Sequence, residues 1–253
     1  MESFKILVFD SGIGGLNVLF RLKNTFKYID FYYLSDFKNA PYGTKKPEQL
    51  FSLAETAIKP LIENFSAVVL ACNTLTTNSL SLLQARFKKP FFGVRPNIGE
   101  VKGETLLLCT SATAAATKKL FGKNKHVTVV APEGWVTSLE KEPFPKNFSF
   151  FKKSLPEKNF DRVFAGCTHF IFLSEFLKNF YYPAKISDGI DPLIAELSLF
   201  LQKTVGQPTT ESPALQFTAK NFIGDDKSRN FLTFSNLEGI KSHKCSKIFK
   251  KYF

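Results

Sequence analysis

Two segments of this chain repeat one pattern, and that repeat constrains the fold more than any other feature. VVLACNT carries Cys72, and RVFAGCTH carries Cys167. In each, an apolar run ends in a small residue, a cysteine, and then groups that donate or accept hydrogen bonds. An apolar run closed by a turn reads as a buried strand. In an α/β fold the ends of such strands open onto binding crevices. The two cysteines lie 95 residues apart, which suits equivalent positions in two similar halves.

The rest of the chain alternates in the same way. Residues 5–9 read as a strand, Ser11 to Gly15 as a Gly-rich turn, and a helix follows from Leu16. A strand at 31–36 leads to the turn-rich NAPYGTKKPE, then to a helix from Gln49 to Asn64 with a kink expected at Pro60. Strands at 67–72 and 90–94 flank a helix from Thr74 to Phe87. In the second half, strands are expected at 104–110, from His126, at 161–167 and in AKISDG. Helices are expected at 111–121, from Gly134, at 170–180 and at 191–205, with an irregular stretch at 142–159. GQPTTESPA (206–214) reads as a loop and LQFTAKNF (215–222) as a last strand. Such alternation predicts an α/β protein of mostly parallel sheets flanked by helices. The expected division is 1–98 plus approximately 206–253 for one domain and 99–205 for the other.

A chain of 253 residues is long enough to bury a core without staples. Its net charge of +12 raises nucleic acid as a partner. The lysines are nevertheless scattered, and no nucleic-acid motif accompanies them. The densest group, Lys241, Lys244, Lys247, Lys250 and Lys251, reads as a solvated face. The four cysteines (Cys72, Cys109, Cys167, Cys245) lack metal-ligand spacing, so no zinc is expected. No apolar run approaches the ~18 residues of a membrane span, and no signal peptide is recognisable. The expectation is a cytoplasmic protein with reduced thiols and no membrane partner.

Four segments carry the chemistry. FDSGIGG sets Asp10 and Ser11 at a strand end, before a helix N-terminus that suits an anion. NAPYGTK, holding Tyr42 and Gly43, offers backbone N–H groups that could cradle a second anion. ACNT places Cys72, Asn73 and Thr74 at a helix start, and GCTH places Cys167, Thr168 and His169 equivalently. A thiol at a helix N-terminus is expected to have a lowered pKa, and a neighbouring histidine can assist it. Two thiols facing one substrate could take a proton from one face and return it to the other. Cys109 follows LLL and reads as core. Asp36 reads as the residue that orients the PYG loop.

At these residues the chain resembles the glutamate racemases of the cofactor-independent aspartate/glutamate racemase superfamily. FDSGIGG, the D…PYGTK stretch at 36–45, ACNT and GCTHF match that family's segments in order. The resemblance implies two pseudo-symmetric domains with the active site in the cleft between them. It also implies L-/D-glutamate as substrate without cofactor or metal, and is compatible with a homodimer. Carried over, Cys72 and Cys167 are the acid/base thiols, assisted by Asp10 and His169. Cys72 would act on the D enantiomer and Cys167 on the L enantiomer. Ser11, Tyr42, Gly43, Asn73, Thr74 and Thr168, with Asp10 and His169, would hold the substrate. Glu140 falls where the family often carries an acid. The resemblance further implies supply of D-glutamate for peptidoglycan. Arg95 departs from the family pattern, as do Ile171 and Phe172. The alternatives are a racemase of another acidic amino acid such as aspartate, or a non-catalytic relative acting, for example, on DNA gyrase.

Overall fold

The computed structural model describes residues 4–205 and 222–224. The chain runs β1 (Lys5–Asp10), α1 (Leu16–Thr25), β2 (Asp30–Ser35), α2 (Pro47–Ile58), β3 (Ala67–Leu70), α3 (Asn73–Phe87) and β4 (Phe91–Gly93). It continues with β5 (Thr105–Cys109), α4 (Ser111–Phe121), β6 (Val127–Val130), α5 (Trp135–Lys141), α6 (Ser149–Lys152) and β7 (Arg162–Gly166). The last elements are α7 (Ser174–Phe180), β8 (Lys185–Ser187), α8 (Ile190–Val205) and β9 (Phe222–Gly224).

Two sheets result, ordered β4-β3-β1-β2-β9 and β6-β5-β7-β8. Every pairing in both is parallel. Read from its other edge, the second sheet runs β8-β7-β5-β6. That is the order β4-β3-β1-β2 with each strand moved on by four, so the two halves repeat one topology. Cys72 and Cys167 therefore leave equivalent inner strands, β3 and β7. The expected fold class is borne out.

Burial follows the strand period. In β1, Ile6 and Val8 face one core while Leu7 and Phe9 face another. Strands covered on both faces need the near-continuous apolar runs that this sequence has. In the second sheet, Leu106 and Leu108 join the larger core, and Leu107 and Cys109 pack with Ile98 and Phe164. Cys109 is fully buried, as a core thiol should be, and burial pushes its pKa up to about 12.

Three local expectations need correction. The helix expected to kink at Pro60 instead ends at Ile58, and the chain passes through a 3-10 turn at Ile62–Asn64. Proline has no N–H for the next helical bond, so the ladder stops there. After Cys167 the chain forms a 3-10 turn, Thr168–Leu173, before α7 begins. The 142–159 stretch holds one short helix, α6, packed through Phe151. The described part of the expected last strand begins at Phe222; the rest of LQFTAKNF, the 206–214 loop, Cys245 and the lysine-rich tail lie outside the described residues.

Two packing arrangements position the cleft. Trp135 opens α5 fully buried, edge-on to Phe151 and Phe170 at 5.2 Å each. That anchor fixes α5 so that Glu140, near its end, reaches the cleft. Helix α8 lies against the first sheet: Phe200 packs on Phe4 and Phe92, and Arg21 of α1 pairs with Asp188 and Asp191.

Candidate active site

The Gly-rich turn after β1 is the hub. Asp10 is fully buried, and its Oδ1 accepts from the Gly12 N–H at 3.0 Å. Its Oδ2 accepts from the Thr168 hydroxyl at 3.2 Å, a bond that crosses to the second sheet's turn. Beneath the turn, the buried Tyr33 hydroxyl donates to the Gly12 carbonyl at 2.7 Å. Burial pushes Asp10 up to about 6, although the positive His169 and the Gly12 N–H pull the other way.

Cys72 caps the start of α3, with the Ser11 hydroxyl 3.9 Å from its sulfur and 3.4 Å from Asp10 Oδ1. The expectation of a lowered pKa here is overturned. Burial first, and the Asp10 carboxylate second, hold the Cys72 thiol well above its ordinary value. The Leu75 N–H at the helix start does pull it down, but by less. A charge on Cys167 raises it further, so the two thiols feel one another across the cleft.

On the other side, His169 Nδ1 lies 3.9 Å from the Cys167 sulfur. Its Nε2 is 2.6 Å from Glu140 Oε1, the same oxygen that accepts the Ile13 N–H at 2.7 Å. Burial lowers the His169 pKa, but the bonds to Cys167 and Glu140 outweigh it and bring the imidazole up to about 10. The ring is therefore an imidazolium at neutral pH. The stability this contributes is fully present below its ordinary 6.5 and is lost as pH rises through about 10. Glu140→Gln removes the neighbouring charge, so the His169 midpoint should fall toward neutrality in 1H–15N NMR of the ring. A midpoint left near 10 would mean that Glu140 does not hold the imidazolium.

The remaining expected residues gather on the Cys72 side of the site. Tyr42 is buried and donates to Asp36 Oδ2 at 2.7 Å, so Asp36 orients the PYG loop. Gly43 lies so close to Thr110 that a Cβ there would stand 2.7 Å from its side chain. Thr74 Oγ1 is 2.8 Å from Thr110 Oγ1, and both reach Thr113. The Asn73 side-chain amide is buried with no hydrogen-bond partner among the described residues. A buried amide of that kind points to a ligand that satisfies it.

Sequence reasoning missed Thr110, Thr113, Asn17 and Tyr33. Thr110 had a signal: it leaves β5 where Ser11 leaves β1, in the repeated topology. Arg95 stays out of the site, half-exposed and paired with Glu196 at 3.4 Å. His126 is exposed and pairs with Glu104.

The chain matches no protein-family model. The glutamate racemase of Leptospira borgpetersenii serovar Hardjo-bovis (strain JB197) is 32% identical over 215 residues, covering 78% of this chain and 82% of that protein. That of Campylobacter curvus (strain 525.92) is 33% identical over 226 residues, covering 77% and 83%. Among solved structures, glutamate racemase from Campylobacter jejuni subsp. jejuni superposes with a TM-score of 0.75 at 21% identity, over 99% of this chain and 100% of that one. The Francisella tularensis subsp. tularensis SCHU S4 enzyme, solved in complex with D-glutamate, gives 0.75 at 23%, over 96% and 97%. Fold and likeness together define an isomerase of the racemase class. Sequence identity above 30% across more than three quarters of the chain carries the assignment one step further. The chain belongs to the glutamate racemase family.

Proposed function

We propose that the protein interconverts L- and D-glutamate by moving the α-proton between Cys72 and Cys167. The observation that carries this reading is a pair of buried thiols at equivalent strand ends, each with its own proton partner. Cys72 has Asp10 beside it, with Ser11 between them; Cys167 has His169, backed by Glu140.

An amino-acid α-proton is too weakly acidic for an unassisted thiolate, so charge moving into the substrate carboxylate must be stabilised as it forms. The unpartnered Asn73 amide, the Thr74 hydroxyl and the turn at Ser11 supply donors for that purpose. With L-glutamate, Cys167 as thiolate takes the proton, and Cys72 as thiol delivers another to the opposite face. The thiols have then exchanged states, and the D enantiomer runs the sequence backward. The starting state returns when the Cys167 thiol loses its proton to solvent and the Cys72 thiolate gains one from it. The His169 imidazolium favours the thiolate at Cys167, and the Asp10 carboxylate favours the thiol at Cys72. Because the carboxylate and the imidazolium influence each other, the set titrates as a coupled unit.

The same reading assigns D-glutamate supply for peptidoglycan and a cytoplasmic location. Its support is family membership, together with the finding that no helix among the described residues is long and apolar enough to cross a membrane. It also keeps the division expected from the sequence, 1–98 with approximately 206–253 and 99–205; α8, at the end of the second segment, packs on α1 and β4 of the first.

The test is 1H NMR of the protein in D2O with each glutamate enantiomer, beside Cys72→Ser and Cys167→Ser. Loss of the α-proton signal and appearance of the mirror-image product, both abolished in each variant, is the expected result. Exchange with aspartate but not glutamate would move the substrate and keep the mechanism. No exchange with any amino acid would sink the catalytic reading.

A further inference from the structure

Thr168, between Cys167 and His169, is gripped from the first sheet's turn at both of its polar ends. Its hydroxyl donates to Asp10, and its carbonyl accepts from Asn17 Nδ2 at 3.2 Å. Asn17 is the second residue of α1 and is buried; the same nitrogen donates to the Gly14 carbonyl at 3.1 Å. A side-chain amide nitrogen carries two N–H groups. One stays within its own turn here, and the other crosses to the turn that carries the second thiol. Asn17 forms no hydrogen bond with either thiol, with Asp10 or with His169.

Its reach nevertheless bears on the acid/base pair. The Cys167–His169 contact of 3.9 Å is at the limit for a sulfur hydrogen bond, so a small displacement breaks it. Two groups of the 11–17 segment hold that geometry. The Ile13 N–H fixes Glu140, which fixes the outer nitrogen of the ring. The Asn17 amide fixes the carbonyl of the residue before the ring. Gly14 packs directly on Thr168 and His169 between them.

We propose that Asn17 is a positioning residue for the Cys167–His169 pair. By holding the Thr168 carbonyl it sets the second domain's thiol turn in register with the first domain's Gly-rich turn, so the pair aligns when the two are closed together. This rests on reading Cys167 and His169 as acid/base partners.

The test uses the full chain with Asn17→Leu, which keeps the size and removes both donors. Asn17→Ser serves as a second variant, able to bond within its own turn but too short to cross. We expect kcat to fall by about tenfold or more with KM changed less than about twofold. The His169 ring resonances should shift, and their titration midpoint should move. In a His169→Asn background, Asn17→Leu should add little, because both changes act on the same pair. Unchanged kcat, an unmoved His169 titration, or an undiminished effect in the His169→Asn background would each overturn the proposal. If the wild-type protein fails to racemise glutamate, the racemase reading fails by itself. The His169 titration then decides on Asn17 alone: a moved midpoint supports the positioning role, and an unmoved one removes it.

Discussion

Asp10→Asn should make the protein more stable and much less active. A buried carboxylate whose pKa rises from 3.8 to about 6 is a group that the fold would rather hold neutral. A factor of ten in proton affinity corresponds to about 1.4 kcal/mol, so the ionised form costs the fold on the order of 3 kcal/mol. The cost is absent below pH 3.8, where both folded and unfolded chains are protonated, grows between 3.8 and about 6, and is fully present above. Asparagine keeps the Gly12 bond through its own oxygen, and its amide can meet the Thr168 hydroxyl. The attraction to the imidazolium is already contained in the net shift, and the weaker amide–hydroxyl bond to Thr168 takes back part of the gain. The expected gain at pH 8 is therefore about 2 kcal/mol, or about 4–8 °C in Tm for a chain of this size. Near pH 4 the two proteins should be alike. Activity should fall roughly 100-fold, the scale of a lost acid/base group. The enantiomers have equal free energies, so kcat/KM must fall by the same factor in both directions. Urea titrations of both proteins from pH 4 to 8 check the claim, and an Asp10→Asn protein no more stable than wild type at pH 8 would defeat it.

That trade shows why some of the site was legible and some was not. Cys72 and Cys167 were visible because the apolar run before each is long enough to be a buried strand, and a strand end in such a fold faces a crevice. Their places in the repeated topology follow from that alone. The direction of the Cys72 pKa did not. A helix start favours a thiolate locally, yet burial beside Asp10 dominates, and burial is set by residues more than sixty positions away. Glu140 shows the same limit from another side. It sits on the seven-residue helix α5 with no spacing that marks it, and only the resemblance singled it out. What carries it to His169 is Trp135 wedged between Phe151 and Phe170, a contact among three distant segments.

Thr110 was missed for a different reason. A threonine between a core strand and a helix reads as a cap, and it is one, accepting from the Thr113 N–H. Its second role appears only when the sheets are brought together and Thr74 meets it. Hydroxyls serve both uses with the same atom, so residue type alone does not separate them. The repeated topology does, because it puts Thr110 where Ser11 stands in the other half.

Gly14→Ala should be severely damaging to activity. An added Cβ would stand 2.5 Å from the Thr168 hydroxyl, 2.6 Å from His169 Nδ1 and 2.8 Å from the His169 backbone nitrogen. A hydroxyl can rotate away, but a backbone nitrogen cannot. The turn carrying Asp10 and the turn carrying Cys167 must therefore separate. Overpacking of this kind costs about 1–3 kcal/mol, a modest loss for the fold. For catalysis the same displacement is severe, since misplacing reacting groups by about 1 Å costs on the order of 100-fold, and here several groups move together. The Asp10–Thr168, Asn17–Thr168 and Ile13–Glu140 bonds all span the gap that the methyl would open. We expect activity to fall about 1000-fold or more, with Tm lower by only a few degrees. Gly12→Ala is the useful comparison, because its Cβ meets the Glu140 carboxylate, the far end of a side chain that can swing aside. That variant should keep the two turns in contact but free His169 from its acid, lowering the ring's midpoint and narrowing the active pH range from the alkaline side. Equal activity in Gly14→Ala and wild type would mean that the two turns need not touch for the thiols to work.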